Sequence, residues 1–450
     1  MSTPLPQEIP LPQLNQQTLT VRNVTDRMPV EILAYIFQFY IDLSVNATRG
    51  VGVPPEDVLP LGAVCQRWRK IAWESPHLWN NPLFKIKPRS TTAAQMVQLA
   101  IEWLGRSGNR PLSINIFGPL EPGPLEPELQ QDLQIFAPLA DAICEVLHRC
   151  QKLILSGLST SMLARISAER PFDSPCLLRE LGIYCILEDL SDPLAVINFG
   201  NAAPLSLTLE LFKLDRFSID WSNLTEFVSS YLSLNDTFKV LTLAPRLVKL
   251  RLFIYSNDVV QEIPNGTLAG TTSLRCANLQ NLYIDAYSED PDSSAANTPI
   301  VSAFLRNLIL PNLTIFGVQH APPFPAEDFL DLVDRSRCTI TELSLNYGCI
   351  SVDDLVLLAE SLTSVTSFFF HLKPTDSDSA WGQMAHLEDL LEAFCLDDQF
   401  HDLSSEDDVL FPNLKHIFVA SGAMPLPLEL LPRLKLRHCY MAAQVGKYSP

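Results

Sequence analysis

The sequence predicts an α/β chain in which a small helical unit is followed by an irregular solenoid of one strand and one helix per unit. Three observations carry this. Two amphipathic helical patterns and a short apolar clasp lie within residues 26–88. Beyond them a strand-like motif (apolar, two spacers, apolar, one spacer, apolar) recurs from Cys150 to Val419. Helical patterns fall between its copies, as in Leu355, Leu358, Ala359, Leu362 and in Leu387, Leu390, Leu391, Phe394.

At 450 residues the chain is long for one ordinary domain, and with 47% apolar residues it can bury a large core. Its 51 acidic and 32 basic side chains leave a net charge of −19, which argues against a nucleic-acid surface. No signal-peptide pattern opens the sequence, and the longest uncharged run, Pro193 to Leu209, holds Asn198 and Asn201. The ten cysteines are scattered without a C-x-x-C pair, the pattern of free thiols in a reducing compartment. The expectation is a soluble cytoplasmic or nuclear protein with no membrane span.

Residues 1–25 are rich in Pro, Gln and Asn and read as a flexible tail. Met28-Pro29 then opens a helical pattern, with Ile32, Leu33, Ile36, Phe37 and Tyr40 as its apolar positions. Pro29 suits a first turn because its missing N–H has no intrahelical partner there, and Glu31 suits the positive end of the helix dipole. Ser44 to Asp57 reads as a loop. Leu61, Val64, Cys65, Trp68, Ile71 and Ala72 form one stripe, predicting a single second helix with Arg67, Arg69 and Lys70 on its other side. Ser75-Pro76 ends it, and His77-Leu78-Trp79 supplies the clasp. Three of the six tryptophans (Trp68, Trp73, Trp79) fall in this short stretch.

"MPVEILAYIF" followed by "LGAVCQRWRKIAWESPHLW" resembles the F-box: an opening Met-Pro-x-Glu-Ile-Leu, a Val-Cys-x-x-Trp helix and a closing Pro-x-Leu-Trp. The resemblance implies a trihelical docking domain over residues 26–88 that binds a Skp-family adaptor of a cullin-RING ubiquitin ligase. It implies Met28, Pro29, Ile32, Leu33, Ile36 and Phe37 as the first half of the docking face. Leu59, Leu61, Val64, Cys65 and Trp68 would be the second half, with Leu78 and Trp79 closing its edge. The segment between the helices is longer than in the compact form of the family. Residues 26–88 hold seven basic and six acidic side chains, whereas residues 89–450 carry −20, so the docking unit is electrostatically distinct.

In residues 89–450 the motif appears as Cys150-Leu153-Leu155, Leu178-Leu181-Ile183, Leu247-Leu250-Leu252 and Leu279-Leu282-Ile284. It continues as Leu313-Phe316-Val318, Ile340-Leu343-Leu345, Val365-Phe368-Phe370 and Leu414-Ile417-Val419. Central positions 250, 282, 316, 343 and 368 lie 32, 34, 27 and 25 residues apart, one strand and one helix per unit. This resembles an irregular leucine-rich-repeat-like α/β solenoid, although the asparagine or cysteine after the strand is lacking. An ordinary α/β sheet of βα units is the alternative. As a whole the chain resembles fungal F-box proteins in which an F-box precedes degenerate repeats.

No phosphate-binding loop, dinucleotide fingerprint, nucleophile elbow or H-E-x-x-H motif occurs. His148 with Cys150, and His438 with Cys439, lack the paired spacing of a zinc site. The expectation is therefore no enzyme, no cofactor and no metal. Residues 374–410 carry eleven Asp/Glu and no Lys or Arg, which makes Asp397, Asp398, Asp407 and Asp408 candidate contacts for a basic target. Functionally the resemblance implies the substrate-recognition subunit of an SCF-type ligase, with an unknown protein substrate held by the repeat domain. A non-degradative F-box scaffold and an α/β enzyme of unknown class are the alternatives.

Overall fold

The computed structural model describes residues 27–47, 52–85, 92–118, 134–168, 176–185, 196–210, 214–255, 273–287, 298–319, 324–346, 350–372 and 411–421. Helix α1 (Val30–Ala47) opens after Pro29, as expected. Helix α2 (Pro55–Val64) likewise starts on a proline, with Glu56 and Asp57 in its first turn. The single second helix predicted from the stripe is not formed. The chain is extended at Cys65 (φ −159, ψ 170) and restarts as α3 (Gln66–Trp73), with Cys65 Sγ accepting the Trp68 N–H at 3.4 Å. Apolar periodicity runs straight through this break. The break lets α3 fold back on α2, where Trp73 lies so close to Gly62 that a Cβ there would collide with the ring.

The tryptophan cluster is packing. Trp79, in the 3-10 turn Pro76–Trp79, is wholly buried and donates its indole N–H to the Ala72 carbonyl at 2.8 Å. It packs edge-on against Trp73 at 5.3 Å and against Trp103 at 4.8 Å. Trp103 belongs to α4 (Ala93–Arg106), and the Arg106 guanidinium lies 4.7 Å and 4.9 Å from the Trp73 and Trp79 rings. The cluster therefore joins the N-terminal helices to the element beyond residue 88. Main-chain bonds do the same: Ser113 N–H donates to Asn80 O at 2.8 Å, and Asn115 N–H to Pro82 O at 3.0 Å.

After β1 (Leu83–Lys85) come β2 (Leu112–Phe117), helix α5 (Ala137–Val146), β3 (Cys150–Leu158), helix α6 (Thr160–Ala168) and β4 (Glu180–Cys185). Next are β5 (Ile197–Asn198), β6 (Ser206–Glu210), β7 (Phe217–Ser218), β8 (Glu226–Ser230), helix α7 (Leu234–Leu243) and β9 (Lys249–Tyr255). The chain continues through β10 (Leu274–Arg275), β11 (Asn281–Tyr287), helix α8 (Thr298–Arg306), β12 (Leu308–Ile309) and β13 (Ile315–Gln319). Helix α9 (Ala326–Ser336), β14 (Glu342–Asn346), helix α10 (Val352–Ser361), β15 (Ser367–Leu372) and β16 (His416–Ser421) complete the described elements. Among the described residues twelve strands form one parallel sheet in chain order, β1-β2-β3-β4-β6-β8-β9-β11-β13-β14-β15-β16. The pairs β5–β7 and β10–β12 stand apart from it.

The sequence motif is the sheet's register. Its central residues stand side by side, Leu250 against Leu282, Leu282 against Phe316, Phe316 against Leu343, Leu343 against Phe368 and Phe368 against Ile417. The same row runs back through Phe227, Leu207 and Leu181 to Leu153. Two of these strands, β6 and β8, escape the sequence reading. In β6 the first motif position is Pro204, and in β8 the last is Ser229, so neither matches an all-apolar pattern. Helices cover the row, as where Phe329 of α9 stacks on Phe316 at 4.1 Å.

Polar staircases set the rise between units. The Thr341 and Glu342 N–H groups share the Thr314 carbonyl at 2.8 and 3.1 Å, and those of Thr366 and Ser367 share the Thr341 carbonyl at 2.9 and 3.1 Å. Asn278, Asn312 and Asn413 each send an amide N–H to a carbonyl of the preceding unit (Pro245, Ala277 and Thr363) at 2.7–2.9 Å. These asparagine side chains thus satisfy backbone acceptors that the turns would otherwise leave unpaired.

Candidate docking face

Helix α1 is apolar on two sides. Leu33, Phe37 and Ile41 face inward and are at most 3% exposed. Phe37 meets the half-buried Trp68 ring at 4.8 Å. Ile32, Tyr35, Ile36, Phe39, Tyr40 and Leu43 make a second stripe at helical spacing and are 42–71% exposed. Val64 and Cys65, at the break between α2 and α3, are exposed as well.

The residues expected to form the docking face therefore divide. Pro29, Ile32, Ile36, Val64 and Cys65 are exposed, and Met28, Leu59 and Trp68 are partly exposed. Leu33, Phe37, Leu61, Leu78 and Trp79 are at most 7% exposed and support the face from beneath. A repeat of 3.6 residues reports both sides of a helix that is apolar all round and cannot assign them. Tyr35, Phe39 and Leu43 were missed, though a second stripe counted from Ile32 would have found them.

The basic cluster is largely engaged inside the domain. The Arg67 guanidinium donates to the Met28 carbonyl, and Arg69 Nε donates to the Gly62 carbonyl at 2.8 Å. His77 is half-buried against α1, and burial holds its imidazole below the ordinary 6.5, only partly offset by the Ala34 carbonyl. These contacts fix the clasp to the helix that carries the stripe.

Residues of the sheet that alternate with the core row form a second surface, including Lys152, Thr208, Arg251, Tyr283, Phe369 and Phe418. Phe369 and Phe418 stack at 4.4 Å. Burial raises the Glu210 carboxyl above its ordinary 4.5. Asp397, Asp398, Asp407 and Asp408 lie outside the described residues. Of the cysteines, 65, 150, 176, 276 and 338 carry free thiols, and burial pushes Cys150 up to about 12, so that thiol stays protonated. Among the described residues no His/Cys/Asp/Glu group could hold a metal, and no helix is long and apolar enough to cross a membrane.

Residues 25–85 match the family model described as F-box-like. No curated protein matches the chain. Among solved structures the chain is similar to one of the yeast Rad7 and Elc1 complex, at 16% identity and a TM-score of 0.38, covering 92% of this chain and 90% of that one. The protein carries an F-box-like domain at residues 25–85, followed by an α/β region with a long parallel sheet.

Proposed function

We propose that the chain is a non-catalytic receptor that joins a ubiquitin-ligase adaptor to a protein target. The outward stripe of α1, with Val64 and Cys65, docks an adaptor of the Skp family and through it a cullin-RING ligase. The sheet domain holds the target, and the ligase gains rate by proximity supplied in trans. The observation that carries this reading is the exposed six-residue apolar stripe in a domain that matches the F-box-like model. Solvated apolar faces of this length mark protein interfaces.

On the target side, the reading draws support from topology. Segments 119–133, 186–195, 256–272, 288–297 and 374–410 each follow the carboxyl end of a strand. Together they hold 23 of the 51 acidic side chains and no Lys or Arg, whereas the segments that follow β1, β6 and β16 carry basic residues, Lys87, Arg89, Lys213 and Arg433 among them. Asp397, Asp398, Asp407 and Asp408 belong to the last of these, and we assign them to steering a basic target. The protein acts in the cytoplasm or nucleus, where such ligases and free thiols are found.

Affinity purification of the full chain with mass spectrometry tests the reading, with an Ile32→Asp/Ile36→Asp variant as control. Adaptor and cullin recovered with the wild type and lost with the variant support it. Adaptor recovered equally with both refutes the docking face. Adaptor without cullin favours a scaffold that delivers nothing to a ligase.

A further inference from the structure

Among the described residues four glutamates lie on the face of the sheet away from the helices, and three have a neighbour to answer them. Glu180 pairs with Lys152 at 2.6 Å, Glu342 hydrogen-bonds Tyr283, and Glu226 stands opposite Lys249 in register. Glu210, the last residue of β6, makes no hydrogen bond and no ion pair among the described residues. It is half-buried, yet neither carboxylate oxygen is sealed from the surface. Opposite it on β4 stands Tyr184, whose hydroxyl is taken up by a hydrogen bond with Thr208. Opposite it on β8 stands Ser230, and beyond Ser230 comes Phe253 of β9. The Arg251 guanidinium lies over the Phe253 ring at 4.8 Å, on a strand about 10 Å from β6. The small Ser230 thus leaves a gap between an unpaired carboxylate and an aromatic ring that already holds a cation. An unpaired, half-buried charge costs a fold stability, which is why such groups gather at functional positions.

We propose that this gap receives a lysine or arginine side chain of the target, with Glu210 as its counter-ion. The proposal rests on the reading that the sheet domain holds a protein target, and it names a residue type that the target carries. An ammonium or guanidinium head ends the isolation of the carboxylate, and Ser230 Oγ gives the same head a second acceptor. The Tyr184 ring and Val228, two residues before Ser230 on the same face, offer apolar wall to the alkyl stem. A carboxylate or phosphate on the target would set a second negative charge beside Glu210. An apolar side chain would seal the charge in without a partner, at a further cost in desolvation. Segment 186–195, which follows β4, holds Glu188, Asp189 and Asp192 and no Lys or Arg, whereas Lys213 follows β6.

Arrayed dodecapeptides with randomised flanks and a fixed centre (Lys, Arg, norleucine, Gln or Glu), probed with the full chain, test the proposal. The Lys- and Arg-centred pools should be retained about tenfold or more over the norleucine and Glu pools. Glu210→Gln should erase that preference; it keeps the shape of the side chain and removes an unpaired charge, so the loss cannot come from unfolding. Ser230→Lys, which tethers an ammonium opposite the carboxylate, should erase it as well. No basic preference in the wild type overturns the proposal and leaves the carboxylate to solvent or to Lys213. A basic preference that survives in both variants overturns it too. Adaptor capture by the same proteins reads the receptor function separately and should be equal in all three, so its failure would be told apart from a failure of the pocket.

Discussion

Tyr283 of β11 hydrogen-bonds Glu342 of β14 across an intervening strand. The strand between them is β13, and its residue opposite Tyr283 is Gly317, over which the ring lies so closely that a Cβ would strike it. Gly317→Ala is expected to cost about 1–3 kcal/mol by overpacking. In a Tyr283→Ala background the same change should cost much less, because the colliding ring is gone. Urea melts of the four proteins measure this; equal costs in both backgrounds would exclude the ring as the cause.

Glu210 titrates against the fold. Burial raises its carboxyl above the ordinary 4.5, so the unfolded chain gives up this proton more readily than the folded one. Its penalty is absent at pH values below the unfolded value and grows as pH rises through the folded one. Glu210→Gln should therefore raise the melting temperature at pH 7–8, and the gain should fade as pH falls below 4.5. A gain that is the same at pH 4 and pH 8 would falsify the assignment.

The two sides of α1 should separate by experiment. Ile32→Asp/Ile36→Asp places charge on the solvated stripe, leaves the melt nearly unchanged and abolishes adaptor binding. Phe37→Ala removes a buried ring packed on Trp68 and should cost about 3–5 kcal/mol. Paired melts and adaptor pull-downs decide it, and a loss of stability in the aspartate pair would mean that the stripe is covered within the chain.

Trp79→Ala should cost about 3–5 kcal/mol, and Trp103→Ala a similar amount. The two rings touch at 4.8 Å, so the double variant should lose less than the sum of the single losses. Additive losses in denaturant melts would mean that the cluster does not act as one unit across residue 88.

Replacing Asp397, Asp398, Asp407 and Asp408 with Asn should slow target association and flatten its salt dependence, because steering by charge acts on the encounter rate. Adaptor binding should be unchanged. Association rates at two salt concentrations measure it, and equal rates for both proteins at low salt would confine the acids to solubility.

Local pattern was enough wherever one residue's environment repeats down the chain. The spacing of Leu250, Leu282, Phe316, Leu343 and Phe368 already stated a parallel row, because a residue buried under a helix in each unit must be apolar in each unit. Pro204 and Ser229 hid two further strands, since neighbours in the sheet tolerate one poor position that a pattern does not.

By itself the sequence determined the order of the parts: a Pro-led helix, a clasp ending in Trp79, then strand and helix units with their apolar rows. These follow from turn chemistry and periodicity, which are local properties of the backbone and side chains. Only the tertiary structure decided which side of α1 is inside. Leu33 and Ile32 are equally apolar, and their fates differ because Phe37 finds Trp68 while Ile36 finds solvent. It likewise made Trp79 a joint to Trp103, because that contact joins residues 24 positions apart through shape and packing, which no local pattern encodes.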